Sequence, residues 1–181
     1  MNLKNIKEIK KISEIDDHYN FFLIDLWGVI HNGIKLFPTV VNVLENFKLK
    51  DKNVFFITNA PRRAAIIEKQ LSNFGLSREL YSGVISSGEM TWIYLFNKYK
   101  NRNIDLLHIG PPRDNHLIEG LSYKKVSNPS EASIIVNTGP WGDDDTLDNY
   151  KNILDRSLKY NLPMICSNPD KEVIRGEKFM I

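Results

Sequence analysis

Apolar residues come along this chain in short unbroken runs, and between the runs they recur at helical spacing. Leu3, Ile6, Ile9, Ile12 and Ile15 stand three apart, which predicts a short amphipathic helix or helical arm. Phe21 to Leu26 is a continuous run and reads as a strand buried on both faces of a parallel sheet. Pro38 suits a helix start, and Val40, Val41, Leu44 and Phe47 form one face after it. Asn53 to Thr58 is a second buried strand. Pro61 and Arg62 open another helix, with Ile67, Leu71 and Phe74 on one side and Gly75 as its C-cap. Ser86 with Glu89 three residues later is a capping box for a helix that carries Met90, Ile93, Tyr94 and Phe96 inward. "YSGVIS", "IDLLHIG", "ASIIVN" and "LPMICS" are further strand candidates. Leu147, Tyr150, Leu154 and Leu158 mark a helix from about Asp144 to Lys159. Strands alternating with helices predict an α/β protein with mainly parallel pairing.

Composition narrows this only slightly. The 181 residues suit one domain, or one domain with a sizeable insertion, and 42% apolar with 25% charged residues suits a globular chain with a core. Lys4, Lys7, Lys10 and Lys11 are interrupted by Glu8 and carry no interleaved aromatics, so they read as a solvated face and not as a nucleic-acid patch. No apolar run approaches the length of a membrane span, so no membrane role is expected. The N-terminus lacks a long apolar region, and Cys166 stands alone, which excludes an intramolecular disulfide. The expectation is a cytoplasmic protein with Cys166 as a buried structural thiol.

Chemistry concentrates at strand ends, where parallel sheets gather function. The first run delivers Asp25; the second delivers Thr58 and Asn59 in "FFITNAPRR". A carboxylate there can act as a nucleophile or as a hard-cation ligand, and a hydroxyl, an amide and free N–H groups before a helix suit a phosphoryl group. Each residue also has a plainer reading, Asp25 as a turn residue and Thr58-Asn59 as a cap; their pairing on consecutive strands is what points to phosphoryl transfer. His31 lies close behind Asp25. Arg62 and Arg63 either steer an anion or face solvent. His108 reads as a satisfied structural histidine, and His18 and His116 have no metal-ligand spacing. Trp92 and Trp141 read as packing residues, and "GPPRDN" as a loop.

"FFLIDLWGVIHNG", "FFITNAPRR", "GVISSGEMTWIYL" and "SNPDKEVIRGEKF" together resemble the haloacid dehalogenase superfamily, and within it the class IIA branch of sugar-phosphatase-like hydrolases with a large α/β cap. The resemblance implies a Rossmann-like parallel-sheet core with an inserted α/β cap: residues 1–87 as the N-terminal part of the core, 88–166 as the cap, and 167–181 as the return to the core. It implies a Mg²⁺-dependent phosphatase acting on a small phosphorylated metabolite through an aspartyl-phosphate. Asp25 would be the nucleophile and, with the Trp27 carbonyl, a metal ligand. Thr58 and Asn59 would hold the phosphoryl oxygens, and Asn168 and Asp170 would sit in the returning Asn-Pro-Asp segment.

Two departures from the family pattern matter. Phosphatases of the family carry a second Asp where this chain has Trp27; its dehalogenases carry an aromatic there, and a class IIA branch carries Asp-x-Trp-Gly. The family's Lys and Gly-Asp motifs, expected beyond the Asn-Pro-Asp segment, have no counterpart in Lys171 to Ile181. "GDDDTLD" matches the acidic motif only by letter, and Asp143 and Asp144 read as helix-capping residues. The expectation is a core lacking its C-terminal part and an incomplete Mg²⁺ site, with a partner chain or self-association completing the sheet. The alternatives are a non-catalytic remnant or anion-binding module, and, more remotely, a dehalogenase-like hydrolase.

Overall fold

The computed structural model describes residues 8–100, 102–142, 144–170, 173–175 and 178–180. Two parallel sheets organise them. The first contains β1 (Phe21–Asp25), β2 (Asn53–Thr58) and β3 (Gly83–Ser86) in the order β1-β2-β3. The connecting helices are α1 (Val40–Leu49) and α2 (Ala64–Asn73). Pairing is parallel throughout, with Phe22 opposite Val54 and Ile24 opposite Phe56. That face is packed: Val54 and Phe56 meet Leu44 and Phe47 of α1 and Ile67 and Leu71 of α2 in one cluster.

The opposite face of this sheet is open. Phe21 is 68% exposed, Leu23 67% and Ile57 44%. The reading of Phe21 to Leu26 as a strand buried on both faces is therefore corrected. β1 alternates exposed and half-buried, because among the described residues only one helical layer packs on this sheet. A run of apolar side chains alone does not tell one covered face from two.

The second sheet shows what two-sided cover looks like. It contains β4 (Ile104–Ile109), β5 (Tyr123–Val126), β6 (Ile134–Asn137) and β7 (Met164–Cys166) in the order β5-β4-β6-β7, all parallel. On one face Leu106, Ile134 and Val136 pack with Leu95 of α3 (Ser87–Lys98) and with Leu117 and Ile118 of a 3₁₀ segment, Pro112–Ile118. On the other, Leu107, Ile109 and Ile135 pack with Tyr150, Ile153 and Leu154 of α4 (Leu147–Lys159). The antiparallel pair β8 (Val173–Arg175) and β9 (Lys178–Met180) follows. No described helix is long and apolar enough to cross a membrane.

Several local expectations are corrected. Met90, Ile93, Tyr94 and Phe96 are exposed on α3; its buried stripe is Gly88, Thr91 and Leu95. Small residues on that stripe bring the helix close to its neighbours, and the large side chains face outward. Cys166 is exposed, its thiol pointing to the Asn168 carbonyl at 3.2 Å, since β7 is an edge strand. Leu3 and Ile6 lie outside the described residues, and Ile12–Glu14 and Asp16–His18 form 3₁₀ turns instead of a helix. Asp143 also lies outside them, and α4 is capped by Thr146, not by Asp144. Its Asn149 Oδ1 accepts from Thr146 N–H at 2.8 Å. β5 had no counterpart in the sequence pattern, because "YKKV" offers only two apolar residues.

Candidate active site

β1 ends at Asp25, and the chain turns at once. Ile30 and His31 N–H both donate to the Leu26 carbonyl, at 2.9 and 3.1 Å, and Gly28 N–H donates to His31 O at 2.8 Å. Gly28 has φ +81°, a conformation that side chains with a Cβ rarely adopt, and this closes the turn. Asp25 is exposed, and its Oδ1 accepts from the next N–H, of Leu26, at 2.9 Å. The carboxylate is thus aimed by its own backbone and remains accessible.

Trp27 and His31 brace this turn. A Cβ on Gly33 would stand 2.6 Å from the Trp27 ring, so the indole lies directly on the glycine. His31 is 2% exposed, and its ring meets Trp27 and Phe74 edge-on at 5.2 and 5.3 Å. Its Nδ1 accepts from Gly33 N–H at 3.0 Å. Burial, with the nearby Arg62 charge, pushes its pKa down to about 4. The neutral ring is a packing element of the turn.

On the neighbouring strand, Ile57 is the register partner of Asp25, and Thr58 is the next residue. Thr58 is 8% exposed; its Oγ1 accepts from Ala60 N–H at 3.2 Å, leaving its own proton to donate. Asn59 Nδ2 donates to Asp170 Oδ1 at 3.1 Å, and Asp170 N–H donates to Asn168 Oδ1 at 3.1 Å. Residues 111 positions apart therefore meet at the end of β2. Ser167 N–H, bonded to Asn137 O at 2.9 Å, fixes the segment to the second sheet. A cleft of about 570 Å³ opens here, bounded by Thr58 and Asn59, by Met90 and Tyr94 of α3, and by β7. Asp25 is outside its lining.

Arg62 lies between the two sheets electrostatically: it lowers the pKa of His31 on one side and faces Asp114 on the other. Burial pushes its own pKa down, and Asp114 opposes this. Asp114 is 4% exposed and is raised by burial, while a hydrogen bond from Thr138 works against that shift. Thr138 Oγ1 also meets His108 Nε2 at 2.9 Å, and burial takes that imidazole down to about 4. A Cβ at Gly110 would run into the Thr138 hydroxyl. These groups sit at the C-terminal ends of β4 and β6, where the strand order of the second sheet reverses. Asp114 and Thr138 were not among the residues singled out in the sequence. Their signal was two Gly-Pro loops directly after apolar strands, "IGPPRD" and "TGPW".

Among the described residues, no group of three or more His, Cys, Asp or Glu side chains could hold a metal ion. Asp25 is the one carboxylate at the end of β1. Mg²⁺ accepts one or two carboxylates when phosphate and water complete its shell, and the residues present fit that minimum and no more.

A family model described as haloacid dehalogenase-like hydrolase matches residues 22–124, more than half of the chain. The chain belongs to this family. Among solved structures, a haloacid dehalogenase-like hydrolase from Brucella suis 1330 superposes with a TM-score of 0.86 at 29% identity, over 96% of this chain and 62% of that one. A 4-nitrophenylphosphatase from Thermotoga maritima gives 0.67 at 22% identity, over 92% and 61%. A glycerol phosphate phosphatase from Mycobacterium tuberculosis in complex with magnesium gives 0.67 at 16% identity, over 92% and 49%. The class IIA fold read from the motifs is that of these neighbours, with a Rossmann-like parallel-sheet core. The chain spans about three-fifths of the length of the first two. No curated protein matches it.

Proposed function

We propose that this haloacid dehalogenase-like protein is a phosphatase acting on a small phosphorylated metabolite. The observation that carries the reading is the arrangement at the strand ends: an exposed Asp25 carboxylate beside the Thr58-Asn59 turn, with Asn59 bonded to Asp170 of the returning segment. An Asp25 oxygen attacks phosphorus in line and the alkoxide leaves. Water then hydrolyses the acyl phosphate, releasing phosphate and restoring the carboxylate. The Thr58 hydroxyl and the Asn59 amide hold phosphoryl oxygens. Arg62 supplies positive charge toward the site, and His31 supports the turn without entering the chemistry. Asp25 and the Trp27 carbonyl are the groups that would hold a magnesium ion, whose contribution when bound is to neutralise phosphoryl charge.

Trp27 offers no titratable proton. Losing general acid–base help costs about 10²–10⁴-fold, so turnover depends on leaving groups that depart without protonation. On this reading residues 88–166 form the cap, 1–87 and 167–181 belong to the core, and further polypeptide covers the open sheet face.

The test is hydrolysis of p-nitrophenyl phosphate with Mg²⁺ and after chelation. Wild-type protein is expected to turn over slowly with the metal, and Asp25→Asn to lose at least 10²-fold. An Asp25→Asn variant with the wild-type rate sinks the nucleophile. The lone carboxylate and Trp27 favour a second reading, an anion-binding module; phosphate binding without any Asp25-dependent turnover would establish it.

A further inference from the structure

The turn that carries Asn59 is held from outside by the end of β3 and the start of α3. Gly88 N–H donates to Ala60 O at 3.1 Å, and Ser86 Oγ donates to Arg62 O at 2.6 Å. A Cβ on Gly88 would stand 2.5 and 2.6 Å from the carbonyl oxygen and carbon of Arg62, so only glycine allows this approach. Glu89 then closes the contact. Its Oε2 accepts from Arg63 Nε at 2.8 Å and from Ala64 N–H at 2.9 Å, and its Oε1 accepts from Arg63 Nη2 at 3.0 Å. The Arg63 guanidinium also lies over the Trp92 ring at 4.1 Å, and Trp92 Nε1 donates to Glu119 O at 2.8 Å.

One edge and one face of Arg63 are therefore engaged: its Nε–Nη2 fork is filled by the Glu89 carboxylate and its plane lies over an indole, so the fork itself is not open to a substrate anion. The Glu89 carboxylate, held below the usual range first by Arg63, stays ionised at any pH where the protein would work.

We infer that Glu89, seated by Gly88, is a positioning residue for the Asn59–Arg63 turn: it fixes the groups that meet the phosphoryl oxygens without touching them. The inference rests on the phosphatase reading above. A turn of five residues between a strand and a helix has few internal restraints. Small displacements of phosphoryl-binding groups are costly, since a misplacement of about 1 Å can cost 10²-fold in rate. The clamp also joins residues 60–64 of the turn to the helix that packs on the second sheet.

The test compares wild type with E89Q, which keeps a carbonyl for Ala64 N–H but loses the charge, and with R63K, which keeps the charge but loses the fork. Inorganic phosphate affinity is measured by calorimetry, amide exchange over residues 59–64 by mass spectrometry, and the unfolding midpoint by circular dichroism. E89Q is expected to bind phosphate about tenfold more weakly. It should exchange faster at 59–64 alone and unfold near the wild-type midpoint, with R63K in between. Equal phosphate affinity in wild type and E89Q overturns the clamp, and so does faster exchange without loss of affinity. A wild-type chain that binds no phosphate overturns the function proposed above, and this role with it.

Discussion

His31 sits two residues before Gly33 and accepts its N–H, so protonating Nδ1 breaks a hydrogen bond and places a charge in a buried site. His108 is also buried, against Thr138. Both imidazoles titrate near 4 in the folded chain, below the ordinary 6.5. Between those values the unfolded chain holds more protons, so stability is complete above pH 6.5 and falls as pH drops toward 4. Each ring contributes on the order of 3 kcal/mol to that loss. Asp114 works in the opposite sense, because burial raises it and favours the protonated folded form. Urea midpoints at pH 7.5 and 4.5 check this. His31→Asn, whose side-chain oxygen can accept the same N–H, is expected to remove about half of the acid loss, and an unchanged pH profile would refute the assignment. At this scale placement was legible where a residue sits at a strand end, as with Asp25, Thr58 and Asn59. It was illegible where burial decides, because the letter His carries no information on whether Trp27 and Phe74 close over it.

Helix α3 separates what an element's own sequence encodes from what its neighbours impose. The Ser-x-x-Glu pattern announced its start, and Ser86 Oγ does accept from Glu89 N–H at 3.0 Å. The other half of the expected box is absent: the Glu89 carboxylate goes to Arg63, 26 positions away, a pairing that no local pattern contains. Ser86 is 1% exposed and its hydroxyl both caps α3 and donates to Arg62 O. Ser86→Ala loses a cap and leaves a buried carbonyl short of a partner, an expected cost of about 2 kcal/mol by equilibrium denaturation. A loss within experimental error would mean that water replaces the hydroxyl. The outward Met90, Ile93, Tyr94 and Phe96 mark the same limit. Periodicity predicts that a helix has an apolar face but not that small residues will take the inner position. Strand order was recoverable from alternation alone only in part, since β5, poor in apolar residues, left no trace.

Across the molecule the two sheets are built alike and covered unequally. Parallel strands normally have both faces covered, and the second sheet meets that condition with α3 and α4. The first presents Phe21, Leu23, Ile57 and Ile85 outward, and among the described residues β1 is also its edge, so an apolar face adjoins a strand whose backbone pairs there on one side only. Such a surface invites association, through the face by apolar burial and through the edge by strand addition. Isolated chains are therefore expected to self-associate with rising concentration, read by sedimentation velocity. Leu23→Lys changes a side chain already 67% exposed and Ile57→Lys one 44% exposed, so both should shift the distribution toward monomer, Leu23→Lys without lowering the unfolding midpoint and Ile57→Lys with a small loss. The two substitutions lie on adjacent strands of one face and should reinforce each other. A wild-type chain that stays monomeric across the range would mean that this face is closed by the chain itself. Association unaffected by either lysine would move the contact away from this sheet.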